Sequence, residues 1–238
     1  MKVFVINIGN TNTEYGVFEN GQINEVTSCP TISFERSMIP SCIPVAFASV
    51  VPSKNSIFDG LDSFRLSAQS KTGLDFSNVD SSTIGADRVA NAVATAFTEK
   101  LPAVCIDCGT AITFEIVSSS RAFLGGAILP GRTLQRKALR DHTAQLPLVP
   151  LSSSLDGVFA GTSTADAIRL GVDAGTVGAV KEILVRVRNF FPVGELTLIA
   201  TGGDAEFFKR EISELEIRDN KYTLYGIAKA WEMNKSEN

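Results

Sequence analysis

The chain is predicted to be an α/β protein of two similar domains, residues 1–103 and 104–238, each a mixed sheet flanked by helices, with a cleft between them. Three observations predict this. Ile6-Asn7-Ile8-Gly9-Asn10-Thr11-Asn12-Thr13 is answered by Ile106-Asp107-Cys108-Gly109-Thr110-Ala111-Ile112-Thr113, and Ile6/Ile106, Gly9/Gly109, Thr13/Thr113 and Val17/Val117 are identical at a constant offset of 100. Strand-like runs alternate with helix-like ones through the rest of the chain. Lys100-Leu101-Pro102 breaks the pattern just before the second copy begins.

In both copies an apolar strand (Val3-Phe4-Val5-Ile6; Ala103-Val104-Cys105-Ile106) meets an amide or acid, then a glycine, then hydroxyl residues. Such a run predicts a strand, a tight turn and a returning strand. Glycine lets the backbone approach a ligand, and turn N–H groups with Thr hydroxyls donate to phosphate oxygens. The Asp107 carboxylate is suited to Mg²⁺, directly or through water. Two such hairpins facing each other describe an ATP cleft of the actin/hexokinase type; a chance repetition of an ordinary hairpin is the plainer alternative.

With 44% hydrophobic and 20% charged residues in 238, the composition is that of a soluble globular protein able to bury a core in each domain. The net charge is −4 and the basic residues do not cluster, which disfavours nucleic acid as a partner. No apolar run approaches a membrane span, and Lys2 leads straight into a strand without a signal-peptide layout, so a cytoplasmic protein is expected. Cys105 and Cys108 have the spacing of half a zinc site, but the chain has one histidine and no second pair. Cys29, Cys42, Cys105 and Cys108 are therefore expected to be unbridged structural thiols.

In chain order, strands are expected at 2–8 and 13–19, with Asn20-Gly21 turning into a third at 22–27. A short helix is expected within 31–41, a buried strand at 45–51 ending at Pro52, a helix at 54–61, a strand at 63–68 and a long polar loop at 70–83. Gly85-Ala86-Asp87-Arg88 opens an alanine-rich helix whose free N–H groups suit an anion; Asp87 is either a cap beside a surface arginine or a general base. After the second hairpin come a glycine-bounded strand at 123–131 and a helix at 133–143 ending near His142, which is either exposed or a donor to a substrate. Two helices are expected at 164–178 and 179–190, then a strand at 196–200, a turn at Thr201-Gly202-Gly203-Asp204 suited to the adenosine side of a nucleotide, and a final helix at 222–233.

These pieces, in this order, resemble the type III pantothenate kinase family. The family's D-x-G-N-T corresponds to Asn7–Thr11, its G-x-D-R to Gly85–Arg88 followed by Asn91, and its D-x-G-T-A-x-T to Asp107–Thr113. Its G-G-x-I-x-P-G is Gly125–Gly131, its T-A-x-L-P is Thr143–Pro147, and its late T-G-G is Thr201–Gly203. The resemblance implies an ATP-dependent kinase for pantothenate, with Asp87 as the base that takes the hydroxyl proton. It implies that Gly85, Arg88, His142, Thr143 and Thr164 contact pantothenate. By the same resemblance Asn7, Gly9, Asn10 and Thr11 form the first phosphate loop, Gly109, Thr110 and Thr113 the second, and Gly202 and Gly203 the adenosine turn. Asp107 is implied at the metal centre, with Mg²⁺ and a monovalent cation (K⁺ or NH₄⁺) as cofactors, and a homodimer is implied because the family's pantothenate site lies between subunits. The chain departs from the family at Asn7, where the first motif has an acid, and at Asn78 and Ser81, where a tyrosine and a proline are usual; Glu115 replaces the usual Asp. Those departures define the alternative, a silent relative that binds nucleotide or pantothenate and acts through a partner.

Overall fold

A computed structural model describes residues 2–155, 157 and 159–235. The first half contains β1 (Lys2–Ile8), β2 (Asn12–Glu19), β3 (Gln22–Pro30), β4 (Val45–Ser49), β5 (Ser63–Arg65) and α1 (Ala86–Thr98). The second contains β6 (Ala103–Cys108), β7 (Ala111–Val117), β8 (Ile128–Pro130), α2 (Arg132–Asp141), α3 (Thr164–Arg188), β9 (Thr197–Thr201), α4 (Ala205–Glu211), β10 (Glu216–Ile217) and α5 (Tyr222–Asn234).

The two sheets have the same plan. One runs β3-β2-β1-β4-β5 and the other, taken in the matching direction, β8-β7-β6-β9-β10. In each, the central strand pairs antiparallel with the hairpin partner that follows it and parallel with the next strand to arrive, β4 or β9. The expected repeat is therefore a repeat of topology. Its sequence offset holds only as far as the turn. Ile8 pairs with Thr13 but Cys108 with Ile112, so the second hairpin is one residue shorter. The identities Thr13/Thr113 and Val17/Val117 consequently fall on non-equivalent register positions: Glu14, not Thr13, is the counterpart of Thr113.

Helices α1 and α5 lie between the sheets. The inward residues Val3 and Val5 of β1 and Ala46 and Ala48 of β4 share one buried cluster with α1 and α5, and Val117 and Phe123 of the second half join it. The helices approach closely because α1 is alanine-rich and α5 carries Gly226, where a Cβ would sit 1.9 Å from the Ala90 carbonyl oxygen. The outer face of the second sheet packs Ile106, Ile112 and Phe114 on α3 and α4. Among the described residues the outer face of the first has no long helix: Phe4, Ile6 and Phe47 are covered by Phe34, Ile39 and Phe58 from the segments after β3 and β4. Those segments form 3₁₀ turns, Thr31–Ser33, Arg36–Met38 and Pro52–Phe58, where the sequence predicts a short helix within 31–41 and a helix at 54–61. Burial of each phenylalanine contributes about 1.5–3 kcal/mol, enough to hold turns with little helical propensity of their own.

Three other expectations shift. The strand at 63–68 is confined to Ser63–Arg65, and the strand at 123–131 to Ile128–Pro130. The helices at 164–178 and 179–190 are one helix, Thr164–Arg188; Gly171, Gly175 and Gly178 weaken a helix by about 1 kcal/mol each but, unlike proline, remove no hydrogen bond and do not end it. The Asn20-Gly21 turn is as expected, with φ of 54° and 81° at its two residues. All four cysteines are free, Cys105 and Cys108 buried.

Candidate active site

The turns after β1 and β6 meet. Gly9 N–H closes the first on Asn12 O at 3.0 Å and Gly109 N–H closes the second on Ala111 O at 3.1 Å. Between them the Thr11 and Thr110 hydroxyls lie 2.8 Å apart. The second turn is buttressed from behind, where Gly131 N–H donates to Thr110 O at 2.9 Å. The first is held by Thr31, whose hydroxyl donates to Gly9 O at 2.7 Å. Gly9, Asn10, Thr11, Gly109 and Thr110 are thus brought to one place, as the repeat predicts.

Asp107 and Asn7 occupy equivalent positions on the two central strands and face the helices between the sheets. Asn91 of α1 donates to Asp107 Oδ2 at 3.1 Å, and Thr223 of α5 fixes that amide by donating to its Oδ1 at 2.7 Å. Burial, with the Asp87 charge adding to it, pushes Asp107 up to about 6 against the Asn91 hydrogen bond. Gly202 closes over the same carboxylate: its φ is +89°, and a Cβ there would be 2.6 Å from Asp107 Oδ1 and 2.8 Å from Cys108 O. The T-G-G turn is therefore a wall of this site, pinned by Asp204 N–H to Cys108 O at 3.0 Å. Asn7 Oδ1 is buried without a hydrogen-bond partner.

Asp87 stands in the first turn of α1. Burial raises its pKa, opposed by the Arg88 N–H, which donates to Oδ1 at 2.8 Å, and by the Arg88 charge. A carboxylate raised in this way is a stronger proton acceptor near neutrality than an ordinary aspartate. Arg88 turns away from it, donating through Nε to Glu115 Oε1 at 2.9 Å and through Nη2 to Phe114 O at 3.0 Å. Burial pushes Glu115 up to about 8, against the pull of Arg88. Thr113 lies opposite Asp107 on β7 and on the face of Glu115. Beside Gly85 and Ala86 opens a cavity of about 530 Å³ whose lining includes Ser49, Val50, Arg65, Ser67 and Thr83.

His142, Thr143 and Thr164 lie elsewhere, exposed at the C-terminal end of α2 and the first position of α3. Among the described residues none of them hydrogen-bonds to Asp87, Arg88 or Asp107; Thr143 donates to Leu139 O at 2.7 Å. The residues that surround and orient the acids are harder to find in the sequence. Thr223 and Glu14 carry no motif signal, and only the register of β1 and β2 shows Glu14 opposite Asn7.

Donors present fit a Mg²⁺ that arrives with phosphates. Asp107 and the unpartnered Asn7 oxygen are hard oxygen ligands, and Mg²⁺ is commonly held by one or two carboxylates with the remaining positions filled by phosphate and water. Among the described residues no group of three or more His, Cys, Asp or Glu is arranged to hold an ion alone. No helix among them is long and apolar enough to cross a membrane.

The chain is similar to known proteins over most of its length. The family model described as type III pantothenate kinase matches residues 3–186. A type III pantothenate kinase of Kosmotoga olearia is 36% identical over 248 residues, covering 94% of this chain and 93% of the relative. That of Methylacidiphilum infernorum is 33% identical over 235 residues, covering 94% and 86%. Among solved structures, component A of the Acidaminococcus fermentans (R)-2-hydroxyglutaryl-CoA dehydratase superposes with a TM-score of 0.57 at 14% identity, covering 99% of this chain and 100% of the other. The activator of the 2-hydroxyisocaproyl-CoA dehydratase from Clostridium difficile, solved with ADPNP, gives 0.56 at 15% identity, covering 100% and 99%. At these identities the structures show the fold alone. The two sequence relatives and the family model show more: this chain belongs to the type III pantothenate kinase family.

Proposed function

We propose that the protein transfers the γ-phosphoryl group of ATP to the hydroxyl of pantothenate, giving 4′-phosphopantothenate and ADP in coenzyme A synthesis. The observation that carries the reading is the meeting of the Thr11 and Thr110 turns beside two half-buried acids, Asp87 and Asp107. Phosphoryl transfer asks mainly for positioning and charge neutralisation; the turns offer the positioning, and the neutralisation would come from a cation that the acids hold. Asp87 accepts the hydroxyl proton as the new O–P bond forms and the bond to the ADP oxygen breaks. Gly9, Asn10 and Thr11 hold phosphate from one side and Gly109, Thr110 and Thr113 from the other, while Gly202 and Gly203 take the adenosine side. Asp107 and Asn7 would hold Mg²⁺, which when bound supplies neutralisation of phosphate charge; a monovalent cation (K⁺ or NH₄⁺) belongs to the same centre in this reading.

Pantothenate is placed beside Gly85 and Arg88, whose Nη1 has no protein acceptor among the described residues. His142, Thr143 and Thr164, remote from Asp87 within one chain, would complete that site from a second copy. The open stripe Gly171, Gly175 and Gly178 on α3, with nothing within 4 Å of a Cβ at any of them, supports close helix approach and a homodimer. The lobes proposed are residues 1–103 and 104–238, with α5 crossing back to the first; the compartment proposed is the cytoplasm. ADP release by the purified protein with ATP, Mg²⁺, K⁺ and pantothenate tests the reading. No ADP under any of these conditions overturns it in favour of a silent, nucleotide-binding relative, the reading that Asn7 favours.

A further inference from the structure

We propose that Glu14 is an additional acid of the metal–phosphate centre, replacing on β2 the carboxylate that Asn7 lacks on β1; this rests on reading that centre as the seat of a metal-bound nucleotide. Asn7 and Glu14 are directly paired across β1 and β2, and paired residues project to the same face of a sheet. That face is the inner one, because alternation places Asn7 with Val3 and Val5, which pack with α1 and α5, and opposite to Phe4, Ile6 and Ile8, which pack outward. The same parity on β6 sets Asp107 inward and Ile106 and Cys108 outward. Glu14, Asn7 and Asp107 therefore face one another from the ends of the two central hairpins.

Charge points the same way. Burial raises the Glu14 pKa, and the Asp107 carboxylate is close enough to raise it further. Among the described residues the Glu14 side chain has no hydrogen bond or ion pair to offset this. Two neighbouring like charges with no counter-ion oppose folding, yet a divalent cation between them turns repulsion into affinity. Beside them the Asn7 oxygen is buried and unpartnered. Two carboxylates and an amide oxygen make a hard donor set of the kind Mg²⁺ takes together with phosphates. The family's acid at position 7 and this chain's acid at position 14 would supply the same single charge from adjacent strands.

The test titrates Mn²⁺ by electron paramagnetic resonance into the protein saturated with ADP, comparing the parent with Glu14→Gln and with the double variant Asn7→Asp/Glu14→Gln. Loss of one charge near a divalent ion should weaken Mn²⁺ binding about 10- to 100-fold in Glu14→Gln, and the double variant should recover most of it. Metal-free thermal midpoints should show Glu14→Gln as stable as the parent or more so. Parental Mn²⁺ affinity in Glu14→Gln, or a double variant as weak as the single one, overturns the role of Glu14 alone. A parent that binds ADP but no Mn²⁺ with it overturns the metal centre itself and this role with it.

Discussion

The hydroxyl oxygens of Thr11 and Thr110 lie 2.8 Å apart although 99 residues separate them. Each belongs to a turn closed by its own glycine, so two rigid loops present their hydroxyls at one point. Both hydroxyls are exposed, and each has the freedom to rotate its proton toward a phosphate oxygen. Thr110→Val should raise KM for ATP about tenfold, the value of a hydrogen bond to a charged group. Thr11→Val should do the same, and the double variant should fall short of the product of the two, because neighbours that share one ligand are not additive. Initial rates across an ATP series decide it; strict multiplicativity would mean that the hydroxyls serve different groups.

Asp87→Asn removes the acceptor and keeps the shape. Turnover should drop about 10²–10⁴-fold, with ADP affinity measured by calorimetry changed less than about twofold. In the parent, burial raises the Asp87 pKa, so kcat should fall on the acid side at a pH above that of an ordinary aspartate. An Asn variant with near-parental kcat would reduce Asp87 to a residue of the first helical turn with no part in the chemistry.

How much of this arrangement is legible in the sequence depends on the kind of signal each part carries. The two strand–Gly–Thr runs announce the paired turns, because apolar strands and glycine turns are local signals and the offset of 100 links them. The offset cannot reveal that the second hairpin is one residue shorter, since that shift shows only in which residues pair, Ile8 with Thr13 but Cys108 with Ile112. Sequence alone therefore aligns Thr113 with Thr13 and hides Glu14, its true counterpart. It also divides α3 at Gly178, because a run of glycines lowers local propensity, whereas the packing of Val177, Val180 and Leu184 on the second sheet carries the helix through. Asn91 is visible only as part of a motif; its task of joining Asp107 to Thr223 spans three elements and leaves no local trace.

Assembly can be tested at Gly175, which lies exposed on α3 with open space where a Cβ would stand. Gly175→Leu improves helix propensity and meets nothing within the chain, so the fold should survive with unchanged or higher thermal stability. If copies pack through the glycine stripe, the leucine obstructs the approach. Sedimentation should then show a dimer for the parent and a monomer for the variant at the same micromolar concentration. A variant that remains dimeric places the interface on another face.

Asp107 offers a test of stability as well as of function. Its folded pKa of about 6 lies above the ordinary aspartate value of 3.8, with burial as the leading cause. A raised acid pKa means that the folded state binds the proton more tightly than the unfolded one between these two values. Stability contributed by this group is thus greatest below about pH 4, declines as the pH rises to about 6, and is level above. Asp107→Asn in the metal-free protein should match the parent near pH 4 and exceed it at pH 7. The gain should be about 1–3 kcal/mol, since the amide keeps a partner for Asn91 and removes the charge that Glu14 and Asp87 oppose. The same variant should lose nucleotide-dependent Mn²⁺ binding, so that the substitution stabilises the fold while disabling the site. Urea titrations at the two pH values measure the first effect. Equal stability of the two proteins at pH 7 would mean that solvent already screens Asp107 and that its carboxylate stores no strain for a cation to relieve.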